Sequence, residues 1–228
     1  EIIIIDNYST DETEKIVDNF DQNKIVYKKI NNNGVIGKSR NEGIKLSRGE
    51  WVAFLDSDDI WHIDKLKKIY EEIEKRNFDI ICNDEYWIYK NKNKKIARYG
   101  PYKKNFYKYL LEYGNCISTS GSTVKKKFLE ENKISFSERK DFVTSEDYDF
   151  FLKAAKKNGI FFFLHLPLGE HLFHENSASY KFEEHKKSWK AVIDHHVLEN
   201  QGFDYNKKII LDRSNFNMNF MELIINFK

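Results

Sequence analysis

Two apolar runs in this chain end in acid. Ile2–Ile5 leads directly into Asp6, and Trp51–Leu55 leads into Asp56, Ser57, Asp58 and Asp59. Carboxylates crowded on one turn repel each other unless a cation or hydrogen-bond donors offset them. Oxygen-only donors suit a hard divalent cation such as Mg²⁺ or Mn²⁺, which commonly bridges a protein carboxylate to substrate phosphates. Asp58 or Asp59 could instead cap the helix that follows, although a cap needs one residue and the turn offers three. A further acidic pair, Glu146-Asp147, follows Thr144-Ser145. A carboxylate there could act as a base, or it could complete a Thr-x-x-Asp cap and complement the helix dipole. Trp61 lies directly beyond the acidic turn, where it could stack on a sugar or simply pack at a helix start.

Other polar groupings carry less. His171 and His174 stand three apart, as metal ligands can, but no cysteine lies near and zinc is a poor fit. Gly37-Lys38-Ser39 looks like the end of a phosphate-cradling loop. The first glycine of that motif would fall at Asn32, so Gly34 and Gly37 read as loop glycines.

Elements must present these groups. Ile2–Ile5 is a β-branched run of the kind found in strands buried on both faces. Ser9 and Glu12 have capping-box spacing and predict a helix from about Thr10. A short strand at Ile25–Lys29, an Asn-rich turn ending at Gly34 and a helix over Ser39–Leu46 follow. Leu66, Ile69, Tyr70 and Ile73 mark another amphipathic helix. Beyond Asp79–Cys82 the pattern gives a hairpin around Asn91, a helix at Phe106–Tyr113 and a Ser/Thr/Gly-rich stretch at Ser118–Val124. A helix from about Ser145 and an apolar strand at Ile160–Leu166 come next. From Phe182 the pattern is helical, with Trp189, Val192, Ile193 and His196 on one side. Strands alternating with helices imply an α/β fold whose ligands lie beyond the carboxyl ends of the strands.

Composition narrows the classes. The 228 residues carry 38 Lys+Arg against 36 Asp+Glu, a net charge of +2 that gives no basic stripe for nucleic acid. Cys82 and Cys116 alone exclude a disulfide scaffold and suit a reducing compartment, where they fill core space. No apolar run has the ~20 residues of a membrane span. Lys-, Asn- and Ile-rich usage suggests an AT-rich bacterial genome.

Taken together, IIIIDNYSTDET, GKSRNEGIKLSRGEWVAFLDSDDIW, TSEDYDFFLKA and HENSAS resemble the family 2 glycosyltransferases of GT-A fold over roughly residues 1–180. The resemblance implies a Rossmann-like mixed, mostly parallel sheet flanked by helices, as a catalytic domain at 1–180, with a helical extension at 181–228. It implies that Asp6 meets the nucleotide base, and that Arg40 and Asn41 lie near the donor. Asp56, Ser57 and Asp58 would form the DxD site, with Asp58, Asp56 and His174 toward a Mn²⁺ or Mg²⁺ ion. Asp147 would be the catalytic base, and Glu146 an acceptor-side contact or a dipole partner. The implied reaction is inverting transfer from a UDP-sugar to a glycan or lipid-linked acceptor in surface polysaccharide or lipooligosaccharide assembly. That work belongs in the cytoplasm or at the inner face of the membrane.

One departure matters. The family ordinarily opens with an apolar strand ending in a Pro-x-Tyr-Asn type turn, and none precedes Glu1. The expectation is therefore an N-terminally incomplete chain with two unpaired strand edges. Two other readings remain: a module that binds nucleotide and metal without turnover, and a Mg²⁺-dependent nucleotidyl- or phosphoryl-transfer enzyme. The apolar C-terminal tail could pack on the domain, join a homodimer or touch a membrane surface.

Overall fold

The computed structural model describes residues 1–89, 93–173, 182–200 and 203–226, the last six as backbone only. The β-branched run forms β1 (Ile2–Asp6), which pairs in parallel with β2 (Ile25–Lys29). Between them lies α1 (Thr13–Asp18). It starts later than the capping-box spacing predicts, because Ser9 turns back instead and bonds Asp6 through both its amide and its hydroxyl. After β2 comes α2 (Ile36–Leu46), one turn longer than expected at its start.

A second, six-stranded sheet holds the rest. Its strands are β3 (Trp51–Ala53), β4 (Ile60–Trp61), β5 (Ile80–Ile88), β6 (Lys94–Ala97), β7 (Ser122–Lys125) and β8 (Phe161–Leu172). The long central β5 runs parallel to β8 and antiparallel to β7, with β6 folded back on its far end as the expected hairpin. β3 pairs only with β7 and β1 only with β2, so among the described residues each has a strand on one side alone. Parallel pairing is confined to β1–β2 and β5–β8, and the sheet is accordingly mixed.

Alternation along β5 divides the core. Ile80 and Cys82 face a large cluster with Leu110, Phe128, Phe150, Phe151 and Val192. Ile81 faces the other way, onto Ile69, Phe78 and Leu168. The second face is closed by α3 (Lys65–Ile73). The first is closed by α4 (Phe106–Tyr113), α5 (Lys126–Asn132), α6 (Glu146–Lys156), α7 (Phe182–Val197) and α8 (Lys207–Asn226). The helical extension thus shares the core of residues 1–180, with Trp189, Ile193, Ile210 and Met218 buried in the same cluster.

Gly37 is not a loop glycine. It lies in α2, and a Cβ there would sit 2.3 Å from the Ser137 carbonyl oxygen. The missing side chain lets α2 approach the 136–138 segment. Gly34, by contrast, is in a turn with φ of +77° and does need glycine's freedom. No helix among the described residues is long and apolar enough to cross a membrane.

Candidate active site

The ends of β3 and α6 meet at one cation. Arg40, from α2, donates through Nη1 to Glu146 Oε1 at 2.6 Å and through Nη2 to Asp56 Oδ1 at 2.7 Å. Its guanidinium also lies over the Phe136 ring, 5.2 Å from the centroid. The Arg40 side chain is 13% exposed and Glu146 only 6%, so this is a largely desolvated ion pair. Such a pair costs much if one partner is removed, because an unpaired charge then stays buried. Both terminal nitrogens of Arg40 are taken by carboxylates, so it bridges the acidic turn and α6.

Asp147 is held differently. Its Oδ2 accepts from the Asn115 amide at 3.1 Å and its Oδ1 from the Tyr148 amide at 2.7 Å. Burial, followed by the neighbouring Glu146 charge, pushes its carboxyl up to about 7, and the Arg40 charge does not fully offset them. A carboxyl poised near neutrality is what proton transfer near pH 7 requires. The turn before it is constrained. Thr144 has φ of +82°, in the left-handed region, and its amide donates to Glu146 Oε2 at 2.9 Å.

The other expected residues fall in several places. Asp6, at the end of β1, accepts from Ser9 and, at 2.6 Å, from the Tyr27 hydroxyl. Burial raises its carboxyl, but these bonds outweigh that and hold it below its ordinary value. Asn41 faces away from the acidic turn. Its side chain accepts from the Phe136 amide and donates to the Phe136 carbonyl and to Glu138, pinning the 136–138 segment. Ser57 is exposed and Asp58 half-buried on the acidic turn. The Trp61 indole donates inward to the Ser120 carbonyl at 2.9 Å, and the Lys65 ammonium lies 4.5 Å from its ring centroid. His174 lies outside the described residues, as does Asn91 of the hairpin.

A layer beneath the acidic turn was not foreseen. Asp59 does not cap α3. It pairs with His171 Nδ1 at 2.9 Å and accepts from the Leu172 amide at 3.3 Å. Burial raises the Asp59 carboxyl, yet His171 and Ser120 hold it below its ordinary value. The wholly buried Lys65 donates to the Ser120 carbonyl at 2.5 Å, and burial lowers its ammonium to about 8. The Ser120 hydroxyl accepts the Asp56 amide at 3.0 Å. Ser120 therefore ties β4, α3 and the acidic turn together. Its sequence signal was the run of small polar residues at Ser118–Ser122, which allows close backbone approach.

The donor set on the acidic turn is oxygen alone, which fits a hard cation shared with phosphate oxygens. Among the described residues no three His, Cys, Asp or Glu side chains converge as a metal cage.

The sequence pattern of glycosyl transferase family 2 matches residues 1–132. An uncharacterized glycosyltransferase of Methanocaldococcus jannaschii is 30% identical over 67% of this chain and 53% of its own length. The UDP-Glc:alpha-D-GlcNAc-diphosphoundecaprenol beta-1,3-glucosyltransferase of Escherichia coli is 30% identical over 85% of this chain and 74% of its own. Among solved structures, TarS of Staphylococcus aureus in complex with UDP-GlcNAc superposes with a TM-score of 0.70 at 20% identity, covering 96% of this chain and 62% of that one. The chain thus spans little more than half of several relatives it matches. The TarS likeness concerns the fold, which is α/β with a curled mixed sheet flanked by helices. With more than half its length matched by the family pattern, the chain belongs to glycosyl transferase family 2.

Proposed function

We propose that this chain transfers a sugar, with inversion, from a UDP-sugar to a glycan or lipid-linked acceptor, with Asp147 as the base. The observation that carries the reading is Asp147 itself. Its carboxyl is raised by burial, it is bonded to Asn115 and its own turn, and it stands beside an Arg40 bridge that pairs with both Glu146 and Asp56. The relatives support the donor and acceptor classes: one is named for UDP-Glc and a diphosphoundecaprenol acceptor, and TarS was solved with UDP-GlcNAc.

In this reading the ionised Asp147 takes the proton of an acceptor hydroxyl as that oxygen bonds to the anomeric carbon. The bond from that carbon to the diphosphate breaks, and its electron pair leaves with UDP. One carboxylate suffices because no covalent sugar intermediate forms. Asp58, with Asp56, would hold a Mn²⁺ or Mg²⁺ ion, which when bound stabilises negative charge on the leaving diphosphate. Asp6, at the end of β1, would accept from the nucleotide base. Trp61 and Glu146 would lie on the acceptor side, with Glu146 fixed by Arg40. A lipid-linked acceptor would bring the work to the inner face of the membrane.

The test is Asp147→Asn. We expect UDP-sugar turnover to fall by roughly 10²–10⁴-fold, the range for losing a positioned base. Calorimetric binding of UDP with Mn²⁺ should be unchanged. Retained turnover would remove Asp147 from the role. A parent chain that binds UDP but turns over no UDP-sugar would point to a binding module instead, and pyrophosphate release to nucleotidyl transfer.

A further inference from the structure

The turn before Asp147 is closed locally, by the Ser145 amide on the Phe142 carbonyl at 2.8 Å and by the Thr144 amide on Glu146, yet it holds a strained residue. Thr144 is β-branched and sits at φ of +82°, a region that such residues rarely occupy. Its hydroxyl is buried with no hydrogen-bond partner among the described residues. Both features cost stability, and such strain persists only where surrounding structure over-determines it. Support from outside the turn comes from α7. His185 Nδ1 lies 2.9 Å from the Thr144 carbonyl oxygen and 3.5 Å from Ser145 Oγ. A carbonyl can only accept, so Nδ1 carries the proton. Burial lowers the imidazolium, more than the bond to Thr144 raises it, which favours the neutral ring.

The same face of α7 grips α6 at two further points. Trp189 stacks on Tyr148, with centroids 6.2 Å apart and planes at 13°. His196 Nε2 lies 3.0 Å from Asp149 Oδ1, and its Nδ1 lies 3.1 Å from the Tyr107 hydroxyl. Residues 185, 189 and 196 fall on one side of a helix, so a single element docks along the turn that carries Glu146 and Asp147.

We infer that His185 is a positioning residue for the base: by holding the Thr144 carbonyl it fixes the left-handed turn whose amide orients Glu146, and through Glu146 the Arg40 bridge beside which Asp147 stands. The contacts run from His185 to Thr144, Glu146, Arg40 and Asp56 without a break. Without His185 the turn relaxes, Glu146 loses the Thr144 amide, and Asp147 is hydrated and displaced. A displacement of about 1 Å at a reacting group costs on the order of 100-fold in rate. The inference rests on Asp147 as the base, but its structural half can be read without a substrate.

The experiment is a two-by-two comparison in the full chain. His185→Leu removes the donor, and Thr144→Gly removes the backbone strain that the donor restrains. His185→Asn keeps an N–H at the same reach. The readout is the titration midpoint of the Asp147 carboxyl carbon by ¹³C NMR, beside UDP affinity and UDP-sugar turnover. In the parent background, His185→Leu should move the midpoint toward the ordinary carboxylate value and cut turnover roughly 10–100-fold at unchanged UDP affinity. His185→Asn should restore most of both. In the Thr144→Gly background His185→Leu should do much less. Equal effects in the two backgrounds, or Asn behaving as Leu, or an unmoved midpoint in a folded His185→Leu chain, would overturn the inference. If His185→Leu fails to fold in the parent, the Thr144→Gly background decides. Folding there with a nearly parental midpoint supports the role, and renewed unfolding or a large shift refutes it. A parent chain that shows the raised Asp147 midpoint but no turnover would count against the proposed reaction and leave the positioning readable.

Discussion

At the scale of single residues, the arrangement separates two adjacent carboxylates by environment. Glu146 is paired with Arg40 and bonded to the Thr144 amide, while Asp147 is desolvated beside it. A base works only when ionised, so kcat/KM should fall about tenfold per pH unit below a midpoint near 7 and level off above it. The same shift bears on stability. The folded Asp147 carboxyl holds its proton more tightly than the unfolded one, whose value is 3.8. Stability from this group is therefore greatest at low pH, falls as pH rises from about 4 to 7, and is fully lost above that. Asp147→Asn should raise the urea midpoint at pH 8.5 and change it little at pH 4. A variant less stable than the parent at pH 8.5 would mean that the carboxylate is better solvated than its burial implies. An inactive but more stable enzyme is the expected trade at a site built for chemistry.

At the scale of elements, α2 is the piece that brings the site together, since it carries Gly37, Arg40 and Asn41. Gly37→Ala sets two effects against each other. Alanine is the better helix former by about 1 kcal/mol. Its Cβ, however, would lie 2.3 Å from a backbone oxygen of Ser137, in a segment that Asn41 pins at Phe136, so the oxygen cannot yield cheaply. Overpacking of this kind costs roughly 1–3 kcal/mol, and we expect a net loss in urea unfolding with reduced turnover as Arg40 shifts. A net gain in stability would mean that the 136–138 segment moves freely. The sequence made some of this legible and some not. Asp6 and Asp56 stood out because they end apolar strands that local patterns reveal, whereas the spacing around Asp147 reads equally as a helix cap and only the family resemblance singled it out as a base. Asn41 and Gly37 could not be read, because their partners at Phe136 and Ser137 are about a hundred residues away and no periodicity encodes that contact. Ser9 misled for a related reason: its capping-box spacing was genuine, but the Asp6 carboxylate competed for the same hydroxyl. The layer of Asp59, His171, Lys65 and Ser120 escaped because buried polar networks join elements that no local rule connects.

At the scale of the molecule, the question is whether the helical extension is an appendage or part of the catalytic body. The sequence placed a boundary near residue 180, where the α/β pattern stops. The packing runs across that boundary. Val192 is wholly buried and belongs to the same cluster as Leu110, Tyr148 and Phe150. Trp189 and His196 reach α6 directly, and His185 reaches the turn before it. If α7 is part of one cooperative unit, a charge buried at its centre must destabilise everything that shares the core. An unpaired carboxylate there falls among the large destabilisations, about 4 kcal/mol or more, against a total stability of about 5–15 kcal/mol for a domain. For Val192→Asp we expect a single calorimetric transition at a much lower temperature, with amide protection lost in α6 as well as in α7. The opposing outcome is specific. Two transitions, with α6 protected while α7 exchanges freely, would make the extension a separate unit, and the hold of α7 on the base would then be an accident of docking. Among these outcomes only a shared transition lets a histidine beyond residue 180 set the geometry of a carboxylate at 147.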